Sequence, residues 1–318
     1  MAENTRDIIT GATILVFCGT VSLYFPVFGF ICFLLMPLPV IFYRVKLGSG
    51  ASGAMVILAL GFIWIIGSKN TVDAWLMLCM LGLGFALGDV LERNLSVEKT
   101  IAYPCGLVLA GGLAALVLLG NAAGSGPWDL TSAYVRKNLE MTAAAYETMD
   151  MSERSLRLLT NSMDRVHYVV MRLMPALAVA GLVFSAWANL LLARLALRAG
   201  GLRQPDFGHL NRWQAPDMLV WAVITCGLLV LIAGEPLSFI GINGLILLML
   251  VYLFQGVAVV SYYFERKQVP LFLRILVYAF IAVQQIFTLV VIGLGFFDTW
   301  ADFRRLDAQG GSRGGPGE

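Results

Sequence analysis

Nine stretches of this sequence are each apolar for long enough to cross a lipid bilayer. They are Ile8 to Phe25, Val27 to Tyr43, Ala51 to Gly67, Ala74 to Leu91, Ile101 to Gly120, Val169 to Leu192, Met218 to Gly234, Phe239 to Phe264 and Ile275 to Phe297. A hydrocarbon core about 30 Å thick takes roughly 17 to 25 residues of helix at about 1.5 Å each. Backbone polar groups in lipid must be bonded within the segment, which leaves helices, and the short alternating pattern of a membrane barrel is absent. The expected fold is therefore all-α, a polytopic membrane bundle of nine helices, with eight as the alternative.

Composition agrees. Apolar residues make up 59% of the 318, and charged residues only 13%, against about 25% in soluble domains. A formal charge of +2 with no basic stripe argues against a nucleic-acid partner. The five cysteines, Cys18, Cys32, Cys79, Cys105 and Cys226, lie in apolar runs without a CxxC pair, so they read as small hydrophobes rather than disulfides or metal ligands. The first run lacks a cleavage motif and is followed at once by a second, so it reads as a retained helix.

Pro26, the Gly48 and Gly50 pair, Gly234-Glu235-Pro236 and Pro270 punctuate the runs. With the N-terminus in the cytoplasm, Arg6, Arg44, Lys46, Arg93, Lys99, the arginines from 194 to 212, and Arg266, Lys267 and Arg274 all fall inside. Only Lys69 falls in a short outside loop. That asymmetry fixes the orientation. One conflict remains: nine crossings put Arg304 and Arg305 outside. Either the tail is outside or one run does not cross.

This gives an N-terminal bundle of five helices over 1–120, an extramembrane segment over 121–165, a bundle of four over 166–306, and a disordered glycine-rich tail over 307–318. In the extramembrane segment Ser152 is placed to cap a helix with Leu156, Leu159, Met163 and Val166 on one face. It is expected to lie on the membrane surface, or else to cover an outward-facing cavity.

Catalytic signatures are missing. There is no HExxH, nucleophile elbow, P-loop or dinucleotide fingerprint, and His167 and His209 are far apart in sequence. The chain is not expected to be an enzyme, to hold a metal or cofactor, or to use ATP alone. No carboxylate lies near the middle of a run; Asp89 and Glu235 sit at run ends, and Asp89 is expected to pair with Arg93 one turn on. Neutral polar groups are what remain. Gly241, Gly244, Leu248, Gln255 and Tyr262 share one side of the eighth run, with Asn243 beside them. On a straight ninth helix Arg274, Tyr278, Gln285 and Thr288 fall within about an 80° arc. Such stripes face protein or water. Gly84 and Gly88 form a GxxxG close-packing face, within the chain or against a partner.

Several local stretches carry a resemblance: Gly241-Ile-Asn243-Gly, Gln255-Gly-Val-Ala258, Tyr262-Tyr-Phe-Glu-Arg266, Gly293-Leu-Gly-Phe-Phe-Asp298-Thr-Trp300, Pro37-Leu-Pro39 and Gly88-Asp-Val-Leu-Glu-Arg93. Together they resemble the YybS-like family of bacterial membrane proteins, a domain of unknown function. The resemblance implies a multi-spanning protein of the bacterial inner membrane. It is also distantly similar to the substrate-binding components of energy-coupling-factor vitamin transporters. Two functions follow as expectations. In the first, a transport or substrate-binding subunit holds a small molecule between the eighth and ninth helices, with Gln255, Gln285 and Tyr278 orienting it and Asn243 at the outer part. It would draw energy from an ATPase module or a gradient. In the second, the chain is a non-transporting scaffold for envelope proteins.

Overall fold

The computed structural model describes residues 2–66, 71–93, 95–147, 153–202, 207–301 and 303–304. Its regular elements are α1 (Ala2–Tyr24), α2 (Pro26–Leu35), α3 (Pro37–Ile66), α4 (Thr71–Leu91), α5 (Val97–Ala122), α6 (Pro127–Glu147), α7 (Glu153–Ala199), α8 (Met218–Ile232), α9 (Leu237–Arg266), α10 (Leu271–Val283) and α11 (Gln285–Ala301), with a 3-10 turn at Leu210–Arg212. Among the described residues every one of the nine apolar runs is mainly helical, so the fold is an all-α membrane bundle. The tail beyond 307 and Ser152 lie outside the described residues.

The count of nine crossings does not follow. Six helices among the described residues are long and apolar enough to cross, or seven if the bent α10–α11 pair is one span. Three physical causes separate six from nine. The seventh run forms only the 15-residue α8, about 22 Å long. The ninth run is bent by 102° between α10 and α11. The second and third runs fall in one apolar stretch, Phe28–Ile65.

That stretch is nonetheless interrupted where the sequence marks it, because Gly48 takes φ 81°, a left-handed conformation that glycine adopts freely. The packing on α1 shows what happens there. A side chain at Gly11 would overlap Tyr43 and Met55, and one at Gly19 would overlap Met36 and Ile63. Lys46 also reaches back to Asp7, at 2.7 Å. Residues 36–46 therefore run antiparallel to α1 and residues 55–63 run parallel to it. The chain reverses at Gly48.

The chain forms two compact units. The first holds 1–172 and 181–207, the second 173–180 and 208–318, and α7 contributes to both. The core of the first is built from α1, α3, α4, α5 and the later part of α7, around Leu15, Met36, Ile41, Met55, Leu81, Leu87 and Leu190. Gly84 and Gly88 sit where α4 meets α3. A methyl at Gly84 would press on Pro37 O and Val40, and one at Gly88 on the Arg44 stem. At the same end Arg44, almost wholly buried, bonds Asp89 at 2.8 Å and Glu92 at 3.0 Å, while Arg93 also reaches Asp89 at 3.0 Å. Asp89 thus joins two arginines, the sequence-expected Arg93 and the unanticipated Arg44. Ser185 and Asn189 of α7 both donate to Leu34 O, which fastens α7 to this core.

The segment between the fifth and sixth runs is a helical hairpin rather than one surface helix. α6 lies antiparallel to the start of α7: Ser132 meets His167 at 3.1 Å and Arg136 meets Asp164 at 3.1 Å. α7 is 47 residues long, about 70 Å, more than twice the roughly 30 Å thickness of a hydrocarbon core. The side chains of Leu156 and Leu159 lie outside the described set. Tyr134 of α6 donates to Asp73 at the start of α4, at 2.8 Å. Burial, and then this hydrogen bond, push the Tyr134 phenol up to about 12. An unfolded tyrosine ionises near pH 10. The contribution to stability is thus complete below pH 10 and is lost as pH rises from 10 towards 12. Ultraviolet titration of the purified protein minus Tyr134→Phe should isolate one phenol ionising near pH 12. A difference curve centred at pH 10 would refute the contact.

Candidate functional site

The first unit contains an apolar cleft of about 510 Å³ lined by Leu60, Ile63, Trp64, Trp75, Leu78 and Leu118 among others. Trp64 and Leu118 are more than half exposed. Such a cleft accommodates hydrocarbon but has nothing to orient a polar ligand. The chemistry lies in the second unit, on α9 and the helices beside it.

α9 buries most of the face predicted for it: Gly241, Leu248, Gln255 and Tyr262, with Tyr252, are inside, while Gly244 is half-buried. Near its N-terminal end Asn243 works as a structural clamp. Its Oδ1 accepts the Ala176 N–H at 3.1 Å and its Nδ2 donates to Phe239 O at 2.8 Å. Ala176 follows Pro175 inside α7, where a proline disturbs the helical ladder, so Asn243 supplies an acceptor at that irregular turn.

Twelve residues further along α9, Gln255 enters a fully buried cluster. Its Oε1 accepts the Ala215 N–H at 3.2 Å, and its Nε2 donates to Asp298 Oδ2 at 3.1 Å. The same oxygen receives Arg304 Nη2 at 2.7 Å, and both charged side chains are 0% exposed. Arg304 Nη1 donates to the carbonyls of Asn211 at 2.8 Å and Trp213 at 3.0 Å. The Tyr262 hydroxyl donates to Arg304 O at 3.2 Å, and that of Tyr263 to Phe303 O at 2.9 Å. Asp298 Oδ1, Arg304 Nε and the Tyr252 hydroxyl are buried without a hydrogen-bond partner among the described residues. In low dielectric such incomplete satisfaction is costly. The helices meet closely here because both carry glycine: a side chain at Gly256 would run into Val291 O, and one at Gly295 into Tyr252 O.

The other polar feature is the break. At Gln284 the backbone leaves helical geometry, with φ −98° and ψ 111°, and α10 and α11 diverge by 102°. Gln284 and Gln285 are both exposed there. Thr288 turns its hydroxyl back to Ile281 O and so bridges the break.

From residue 12 to residue 299 the sequence matches the model of a family described as predicted membrane protein (DUF2232). The chain belongs to this family. A relative, the uncharacterized protein YybS of Bacillus subtilis (strain 168), is 24% identical over 310 residues, covering 93% of this chain and 96% of that protein. No solved structure matches. The family expectation from the sequence stands, while the likeness to energy-coupling-factor components is carried by neither match. The family match spans Gln255, Gln284, Gln285 and Asp298 and stops before Arg304.

The four residues proposed from sequence as one ligand site do not converge. Asn243 and Gln255 are about 18 Å apart along α9, each with its amide engaged. Tyr278 packs edge-on against Phe264, with ring centroids 5.5 Å apart, near the C-terminal end of α9. Gln285 is at the break. The 80° stripe of the ninth run assumed a straight helix, and the bend divides it into Arg274 and Tyr278 on α10 and Gln285 and Thr288 on α11. Asp298 and Arg304 do not stand out in the sequence, because one directly follows an apolar run and the other lies beyond it. Their usable signal was a carboxylate and an arginine six residues apart at the end of a glycine-containing helix.

Proposed function

We infer that this chain is a small-molecule transport or substrate-binding subunit of a bacterial inner membrane, with its ligand contact at the α10–α11 break. The observation that carries this reading is the 102° interruption of an apolar run at Gln284, with two exposed amides at the corner. Irregular backbone at membrane depth is tolerated where it is covered by protein or lines a water-filled cavity. Discontinuous helices of this kind are how many transporters build a substrate site. Gln284 and Gln285 offer donors and acceptors without formal charge, which suits an uncharged, hydrogen-bonding molecule. No nucleotide motif accompanies them, so an ATPase module or an ion gradient supplies the energy.

The test is uptake of radiolabelled vitamins and nucleobases by cells expressing the full chain. A double change of Gln284 and Gln285 to Leu should reduce uptake of the responding compound at least tenfold while the protein still elutes as one species in detergent. Unchanged uptake would end this reading.

A scaffold reading has its own observation, the α6–α7 hairpin, with Trp128 and Met141 more than half exposed on α6. Crosslinking and purification separate the two: an ATPase bound to the chain supports transport, and envelope-building proteins held by α6 support the scaffold.

A further inference from the structure

The bent pair α10–α11 could be a broken span, leaving at the far side of the membrane, or a hairpin that returns to the side it entered from. Contacts along α9 decide between them. At the start of α10, Arg274 Nε donates to Val269 O at 2.7 Å and Nη2 donates to Phe264 O at 3.2 Å. One turn later Tyr278 stacks edge-on against Phe264. α10 therefore sets out from the C-terminal end of α9. α11 ends there too. Val291 and Gly295 meet α9 at the close crossing by Tyr252 and Gly256, Asp298 reaches Gln255, and Phe303 and Arg304, just past the end of α11, lie under the hydroxyls of Tyr263 and Tyr262. From that crossing to Arg304 both chains advance towards the C-terminal end of α9, so α11 runs parallel to α9. A ninth crossing would have to run antiparallel to the eighth.

We propose that α10–α11 is a re-entrant hairpin, entering from and returning to the cytoplasmic face, with the amides of Gln284 and Gln285 at its tip in contact with water inside the membrane's thickness. The charge distribution of this unit agrees. Arg212, Arg266, Lys267, Arg274 and Arg304 all collect at the C-terminal end of α9, where Asn211 also hydrogen-bonds Glu265. The opposite end of α9 follows Glu235 and Pro236 and carries no basic residue. Positive charge concentrates on the cytoplasmic side, so the end holding Arg304 is cytoplasmic. With the two antiparallel arms on either side of Gly48 counted singly, and the 15-residue α8 taken as a short crossing that returns the chain to the start of α9, the chain then crosses eight times, by α1, the two arms, α4, α5, α7, α8 and α9. Both termini fall inside, and the conflict over Arg304 disappears. The tip has a reason to be wet. α10 and α11 are 13 and 17 residues long, about 20 and 25 Å, so a corner raised from the cytoplasmic face stops short of the far side. Gln284 keeps its own backbone bonds, its N–H to Phe280 O and its carbonyl to the N–H groups of Phe287 and Thr288, so what needs water or protein at that depth is the pair of side-chain amides, and both glutamines are exposed. The base of the hairpin, by contrast, is pinned by Arg304, Asp298 and Gln255.

This inference deepens the transport reading at the same tip, and its test is independent of uptake. A fluorescent protein that matures only in the cytoplasm and a phosphatase active only outside are each fused after Glu318 of the full chain. Fluorescence without phosphatase activity is expected; the reverse overturns the hairpin. In a chain whose five cysteines are replaced by alanine, Gln285→Cys and, separately, Phe297→Cys are treated with a charged maleimide in open membrane fragments. Gln285→Cys should react at least tenfold faster than the apolar, exposed Phe297→Cys; equal rates overturn the wet tip. A phosphatase-active tail together with lost uptake in the Gln284 and Gln285 double variant would sink the hairpin and leave the transport reading standing.

Discussion

Replacing Arg304 with Met is expected to destabilise the second unit by about 3 to 5 kcal/mol, the usual cost of removing one partner from a buried ion pair. The guanidinium is 0% exposed. It supplies Asp298 Oδ2 with its ionic partner at 2.7 Å and satisfies the carbonyls of Asn211 and Trp213. Without it the Asp298 carboxylate stays buried with only the Gln255 amide, and the carbonyls of Asn211 and Trp213 each lose one donor. Each group so deprived accounts for about 1 to 3 kcal/mol of that cost. Asp298→Leu alone should be comparably harmful, because it strands the cation. The double change Arg304→Met with Asp298→Leu removes both charges and should recover part of the loss, leaving chiefly the two carbonyls unserved. Thermal unfolding in detergent of the parent, both single variants and the double closes the cycle. A coupling of more than about 1 kcal/mol is expected. Strict additivity would show that the two side chains do not act as a pair.

The helical membrane fold was legible because hydrocarbon thickness imposes a length on every run, and that length survives any detail of packing. Gly48 was legible as a break for a similar reason, since a glycine amid apolar residues invites a turn that a β-carbon resists. The stripe from Gly241 to Tyr262 was legible because a straight helix preserves periodicity over its whole length. What failed were properties set by tertiary structure. The 102° bend at Gln284 carries no proline, and two glutamines in an apolar run fit an unbroken helix equally well. Hydropathy counts apolar residues and not direction, so a run that doubles back scores as a crossing. Arg304 reads as a tail cation because its partners, Asn211 and Trp213, are about ninety residues earlier in sequence. Gln255 is legible as a buried polar group but its partners are not: a buried amide can serve a ligand or a neighbouring helix, and here Ala215 and Asp298 occupy it.

Substituting Val at Gly295 or at Gly256 should be the most disruptive single change to the contact between α9 and α11. An added β-carbon at Gly295 would strike Tyr252 O and come within 2.6 Å of Gly256 N, while one at Gly256 would strike Val291 O. These obstacles are backbone atoms inside helices, so no rotamer change relieves them, and the helices must part. Overpacking by a methylene or two ordinarily costs about 1 to 3 kcal/mol. Here the cost is compounded, because Gln255 and Asp298 lie one turn from the crossing and their 3.1 Å bond fails as the axes separate. A total above 3 kcal/mol, or about the cost of breaking the ion pair itself, is expected. It should be seen as loss of the monodisperse peak in size-exclusion chromatography in detergent. Gly293→Ala provides the control on the same helix: a β-carbon there meets nothing within 4 Å, and alanine favours helix over glycine by up to about 1 kcal/mol. If Gly293→Ala proved as damaging as Gly295→Val, helix propensity rather than backbone contact would govern α11, and its close approach to α9 would be wrong.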